Sequence, residues 1–221
     1  MAFEKILILE SRWGDDIADT RSTTVIYRSL EALLSLHEKP VRIISLPLIK
    51  SYQDDISGFV SLESNRRGPN VIIISAHGRY RCRRKKHGTA GSRLVDGLDS
   101  PLNLSADFRK HYRLNPERLK RSIFILDSCE IGKSIKVFLK ISGAYGVIGF
   151  DREVDWIDST VFIFALLSKY QERGVFQLER TRLNNGWQTP LPERILEEME
   201  DGAYSTIMDE LGVRYEFRTA D

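Results

Sequence analysis

Cysteine is scarce in this chain. Only Cys82 and Cys129 occur in 221 residues, in unrelated settings, with neither a CxxC pair nor a Cys/His ligand spacing. That argues against a disulfide framework and against structural zinc, so no metal or cofactor is expected. Long apolar runs are missing too, and with them the expectation of a membrane-spanning helix. The opening Met1-Ala2-Phe3-Glu4-Lys5 leads straight into a strand-like run without a leader pattern. A cytoplasmic, reducing setting with no membrane partner is therefore expected. The lack of a glycine-rich strand-turn-helix loop disfavours a phosphate- or nucleotide-binding domain. Charge of one sign is not in excess, since 33 Lys and Arg against 31 Asp and Glu leave a formal +2. A balance so near neutral does not imply a polyanionic partner, and nucleic acid is not expected. Neither an internal repeat nor a low-complexity tract is evident.

What the chain does have is short apolar runs that end in reactive residues. Ile123-Phe124-Ile125-Leu126 reads as a buried strand, closed by Asp127-Ser128-Cys129-Glu130-Ile131-Gly132 and followed by a helical pattern. Val71-Ile72-Ile73-Ile74-Ser75-Ala76 has the same grammar and is followed at once by His77-Gly78. In open α/β sheets the carboxyl ends of the strands collect ligands and chemistry. Two parallel strands of one sheet would present a thiol and an imidazole on the same edge. A thiol is a poor nucleophile near neutral pH, and an imidazole makes it competent by taking its proton. Gly78 lets the backbone approach a substrate, so its N–H and that of Cys129 could hold an oxyanion. Taken singly, such a Cys is more often a small buried hydrophobe and such a His a hydrogen-bonded loop residue; their joint placement is what favours catalysis.

Read in order, the chain alternates strand and helix signals. A strand is expected over residues 3–9, a helix over 21–36, a strand over 40–46 and a helix over 52–62 before the His77 strand. This βαβαβ order favours a parallel sheet with helices on both faces. After Cys129 a helix is expected over 133–141 with Gly143 as its C-terminal cap, then a strand over 145–150. An apolar helix over 159–170, with Val161, Phe162, Phe164, Leu166 and Leu167 on the sheet, a helix over 192–199 and an edge strand over 213–217 complete the pattern. A length of 221 residues fits a single domain. Its parts are an N-terminal βαβα portion over 1–69, a catalytic portion over 70–175 and a C-terminal helix and edge element over 176–221.

The strand ending in His77-Gly78, the long insertion and the strand ending in Asp127-Ser128-Cys129 resemble the caspase-like (clan CD type) cysteine peptidases. The likeness is closest to the bacterial CHAT and separase side, and residues 143–150 followed by Val154-Asp155-Trp156-Ile157-Asp158 resemble their next strand and acid-bearing helix start. The resemblance covers about residues 70–175. It implies a caspase-like three-layer sandwich and a Cys129–His77 dyad acting on a protein substrate. An acid at the Asp155 or Asp158 position would line the pocket for the residue before the cut and select Arg or Lys there. Asp158 fits better on counting forward to Phe164, while either acid also suits a helix start as cap or dipole partner. The resemblance leaves room for an activating protein partner. The competing class is a non-catalytic interaction domain of the same fold.

The most charged stretch, Arg79-Tyr80-Arg81-Cys82-Arg83-Arg84-Lys85-Lys86-His87, lies between the two key strands. It reads as a solvated loop, and its positive potential would favour a nearby thiolate. His87-Gly88 repeats the His-Gly pair but follows charge rather than a strand, so His77 is the site residue. Residues 94–104 look like a small hairpin or loop.

Overall fold

A computed structural model of the chain describes residues 3–11, 24–36, 40–48, 52–62, 65, 69–81, 91–95, 101–103, 119–177 and 191–218. Most of the basic run, from Cys82 to His87, falls outside these residues.

Six strands form the main sheet: β1 (Phe3–Glu10), β2 (Val41–Pro47), β3 (Asn70–Ser75), β7 (Ser122–Asp127), β8 (Gly146–Phe150) and β9 (Val213–Phe217). Their order is β2-β1-β3-β7-β8-β9. The first five run parallel, and β9 closes the edge antiparallel to β8. Every residue of β3, β7 and β8 is buried, which is why these strands read as unbroken apolar runs rather than alternating ones.

Period two divides each strand between two cores. Ile73, Ile125 and Ile148 face the larger one, with Tyr27 and Leu30 of α1 (Thr24–Leu34) and Phe162, Ile163 and Leu166 of α4 (Trp156–Glu172). Residues of α5 (Leu191–Glu200) and α6 (Ser205–Leu211) extend this layer. Ile72, Phe124 and Val147 face the smaller core, with Ile56 and Phe59 of α2 (Tyr52–Ser61) and Ile135 and Phe138 of α3 (Ile135–Ser142). The fold is therefore the three-layer α/β sandwich with a mostly parallel sheet and helices on both faces that the sequence implied. Gly143 ends α3 at φ 74°, the left-handed cap expected of it. Val161 departs from expectation, being 50% exposed; α4 buries the turns carrying Phe162 and Leu166 instead.

A second, antiparallel sheet is made of β4 (His77–Arg81), β5 (Gly91–Val95) and β6 (Pro101–Asn103). The expected hairpin near 94–104 is present in its last two strands. The backbone of Arg79, Tyr80 and Arg81, however, is strand rather than loop. A strand of so small a sheet needs no apolar run, and the charge there concealed it.

Candidate active site

β3 and β7 are central neighbours in parallel register, from Asn70 opposite Ser122 to Ser75 opposite Asp127. Neighbouring strands lie about 4.8 Å apart, so the two chains leave the sheet side by side. Two residues past that last pair stand His77 and Cys129. His77 opens β4, and Ala76 is the one residue between β3 and β4. Gly78 is the register partner of Leu94 in the small sheet. On the other chain Ser128 alone separates β7 from Cys129.

Cys129 is half-buried and packs against the larger core. The Val154 N–H donates to its Sγ at 3.5 Å, and Sγ lies 3.8 Å from the Val154 carbonyl oxygen. Burial pushes the thiol pKa up; the charges of Glu153 and Asp127 add to this, and the Val154 backbone bond opposes it. A thiol so placed remains protonated near neutral pH unless a base takes its proton.

The chain turns sharply after the thiol. Glu130 adopts φ 57°, among the described residues the one non-glycine with positive φ; a single residue there costs on the order of 1 kcal/mol. Its N–H donates to Arg152 O at 2.9 Å, and its carboxylate pairs with Lys133 at 2.9 Å. The 3-10 turn Ile131–Ser134 then presses on the end of β8. A Cβ on Gly132 would lie 2.7 Å from both Asp151 N and Phe150 C, so only glycine permits this approach.

Asp155 and Asp158 flank the start of α4, and both are exposed. Asp155 caps the helix, Oδ1 accepting the Ile157 N–H at 2.7 Å, and Asp158 sits in the first turn. The buried acid at this edge is Asp127. Its Oδ2 accepts from Ser75 Oγ at 2.8 Å, and Oδ1 has no hydrogen-bond partner among the described residues. Burial raises its pKa to about 6; the Ser159 and Ser75 hydroxyls work against that shift and Glu10 adds to it. Of the two hydroxyls, the Ser159 Oγ directs its hydrogen to Trp156 O at 3.2 Å. Glu10, Ser75 and Asp127 stand in one register row across β1, β3 and β7, with the Tyr27 hydroxyl buried on the same side of the sheet.

In the sequence Asp127 served only as part of the Cys129 motif, yet parity could have singled it out. Ile123 and Ile125 face the larger core, so period two carries Asp127 to the same buried side. Among the described residues no group of three or more His, Cys, Asp or Glu side chains could hold a metal ion, and no helix is long and apolar enough to cross a membrane.

No protein-family model matches this chain, and no curated protein does. Among solved structures, that of a secreted C11 cysteine protease from Bacteroides thetaiotaomicron, bound to an irreversible peptide inhibitor, is similar at a TM-score of 0.41 and 11% identity. The likeness covers 68% of this chain and 49% of that one, so the chain matches about half the length of that protein.

Proposed function

We propose that the chain is a cysteine endopeptidase acting on a protein substrate through a Cys129–His77 dyad. The observation that carries this reading is the register of β3 and β7, whose last paired residues, Ser75 and Asp127, each precede a reactive residue by two positions. In this mechanism His77 takes the Cys129 proton and the thiolate attacks the peptide carbonyl carbon. The developing oxyanion receives hydrogen bonds from the Gly78 and Cys129 N–H groups. His77 then protonates the departing amine, and water, deprotonated by the same imidazole, hydrolyses the thioester. The raised thiol pKa makes the base indispensable rather than helpful.

Glu153, Asp155 and Asp158 are exposed around Val154, where the neighbouring exposed Arg152 is paired with Asp151 and Asp209. This supports cleavage after a basic residue. A basic side chain before the cut would pair with Asp158 or Asp155, whereas a neutral one leaves those acids without a partner. Both acids are exposed, so each such pair contributes modestly by itself.

One observation favours the competing reading, a non-catalytic interaction domain: Cys129 packs on the core and its thiol is not acidic. Thiol labelling with fluorogenic peptides separates the two. The peptidase predicts that Arg-ending peptides are cut far better than Asp- or Leu-ending ones, that Cys129→Ala and His77→Ala abolish cleavage in folded protein, and that His87→Ala retains it. It also predicts iodoacetamide labelling of Cys129 that His77→Ala slows. Slow labelling indifferent to His77, with no cleavage, would leave the interaction domain.

A further inference from the structure

Each reactive residue of the proposed dyad is held one residue away from a strand of the main sheet. Ala76 is the whole link between β3 and His77, and Ser128 the whole link between β7 and Cys129. Beyond Ser75 and Asp127 the ladder of the parallel sheet has ended, so nothing in the regular pairing fixes the position of one reactive residue against the other. The two linking residues are instead tied directly to each other. The Ser128 hydroxyl donates to the Ala76 carbonyl oxygen, and the Ala76 N–H donates to the Asp127 carbonyl oxygen at 3.2 Å. One step earlier, Ser75 Oγ donates to Asp127 Oδ2 at 2.8 Å. Ser128 is also turned back on its own strand, its N–H donating to Leu126 O at 3.0 Å.

Ser75, Ala76, Asp127 and Ser128 are all fully buried. Water therefore does not compete for these groups, and each bond holds a single geometry. The remaining strand exits are pinned by backbone bonds, Ser11 N–H to Ser75 O at 2.8 Å and Leu48 N–H to Glu10 O at 2.8 Å. Between the His77 and Cys129 exits, by contrast, side chains supply two of the three bonds. That difference makes the contribution separable by mutation.

Resting on the peptidase reading above, we infer that Ser128, with Ser75 as its second half, is a positioning residue for catalysis. It sets the His77 backbone against Cys129 by holding the Ala76 carbonyl, without touching substrate. The chain changes sheets at Ala76, so a small rotation there is passed whole to His77. Misplacement of a catalytic pair by about 1 Å can cost on the order of 100-fold in rate. Loss of the hydroxyl should act on proton transfer from the thiol and leave substrate binding alone.

The test compares wild type, Ser128→Ala, Ser128→Thr, Ser75→Ala and His77→Ala. Cleavage of an Arg-ending fluorogenic peptide is measured together with the pH dependence of iodoacetamide labelling at the Cys129 peptide, read by mass spectrometry so that Cys82 does not interfere. Ser128→Ala should lower kcat by about 10–100-fold with KM held within about threefold. Its labelling midpoint should move upward toward that of His77→Ala, and Ser128→Thr, which keeps the hydroxyl, should return both toward wild type. A folded Ser128→Ala that labels and cleaves like wild type, while His77→Ala does not, overturns the positioning role and leaves the peptidase standing. Labelling of wild type that is already indifferent to His77→Ala overturns the peptidase reading and this inference with it. Should Ser128→Ala fail to fold, Ser75→Ala decides by the same comparison, with an unshifted midpoint counting against the role.

Discussion

A carboxylate out of reach of water resists ionisation, and Asp127 carries that cost in the folded state alone. Its pKa rises from 3.8 to about 6 with burial as the main cause. A folded-state value above the unfolded one means that the folded protein holds the proton more tightly between these two pH values. Stability from this group is thus greatest in acid and falls as pH rises through about 6. The shift of about two units corresponds to a loss of about 3 kcal/mol by neutral pH. Asp127→Asn keeps an acceptor for Ser75 and removes the ionisation. It should be more stable than wild type at pH 7.5, by about 2–3 kcal/mol in urea unfolding, with little advantage at pH 4. Parallel pH profiles for the two proteins would show that Asp127 is not the group concerned. Cys129 shows the same principle with the other outcome, since burial keeps it a thiol, which in the proposed mechanism needs His77 as its base.

At the scale of elements, the strands were legible because burial on both faces writes itself as unbroken apolar sequence. Runs such as Ile72-Ile73-Ile74 and Phe124-Ile125-Leu126 admit few other readings, and Gly143 marked a helix end through its freedom at positive φ. β4 was not legible, because its pairing is by backbone and its side chains say only that they are charged. Nor was the clamp of Ser75, Ala76 and Ser128, since small polar residues at a strand end look the same whether they cross-link or face solvent. Gly132 belongs between these cases. Its spacing after Cys129 was visible, but its reason is the approach of the 3-10 turn to β8. In Gly132→Ala the added carbon meets backbone on both Phe150 and Asp151, which cannot rotate aside as a side chain can. Overpacking of this kind costs about 1–3 kcal/mol. Because the turn begins two residues after Cys129, the same shift should lower kcat. An unchanged urea midpoint together with unchanged kcat would mean that the turn yields freely and does not hold the thiol.

Across the whole molecule the near-neutral sum of charge hides its segregation. Glu193, Glu197 and Glu200 of α5 gather beside Glu216 of β9, where burial, then Glu197 and Glu216, raise the Glu193 carboxyl pKa. Tyr215 donates its hydroxyl hydrogen to Glu200 at 2.9 Å at the same edge. The basic run starts instead at the proposed active site, directly after His77 and Gly78. If the proposed peptidase cuts after Arg or Lys, it carries its own substrate sequence beside the proposed base, and reach decides which molecule can cut it. β4 carries the chain about 14 Å away from His77 by Arg81 at 3.4 Å per residue. Arg83 lies two residues further on, able to return about 7 Å at full extension. On chain length alone that reach falls short of His77 while β4 is intact, for Arg84 as for Arg83. Cleavage after Arg83 or Arg84 is therefore expected between molecules. The fraction cut per unit time should rise in proportion to protein concentration, and a trace of wild type should cut Cys129→Ala protein to fragments ending at those residues by intact mass. A rate of cleavage after Arg83 or Arg84 that is independent of concentration would require the site to act within one chain, with β4 released from the small sheet. Absence of any cut in enzyme active on Arg-ending peptides would show that the basic run serves a purpose other than processing.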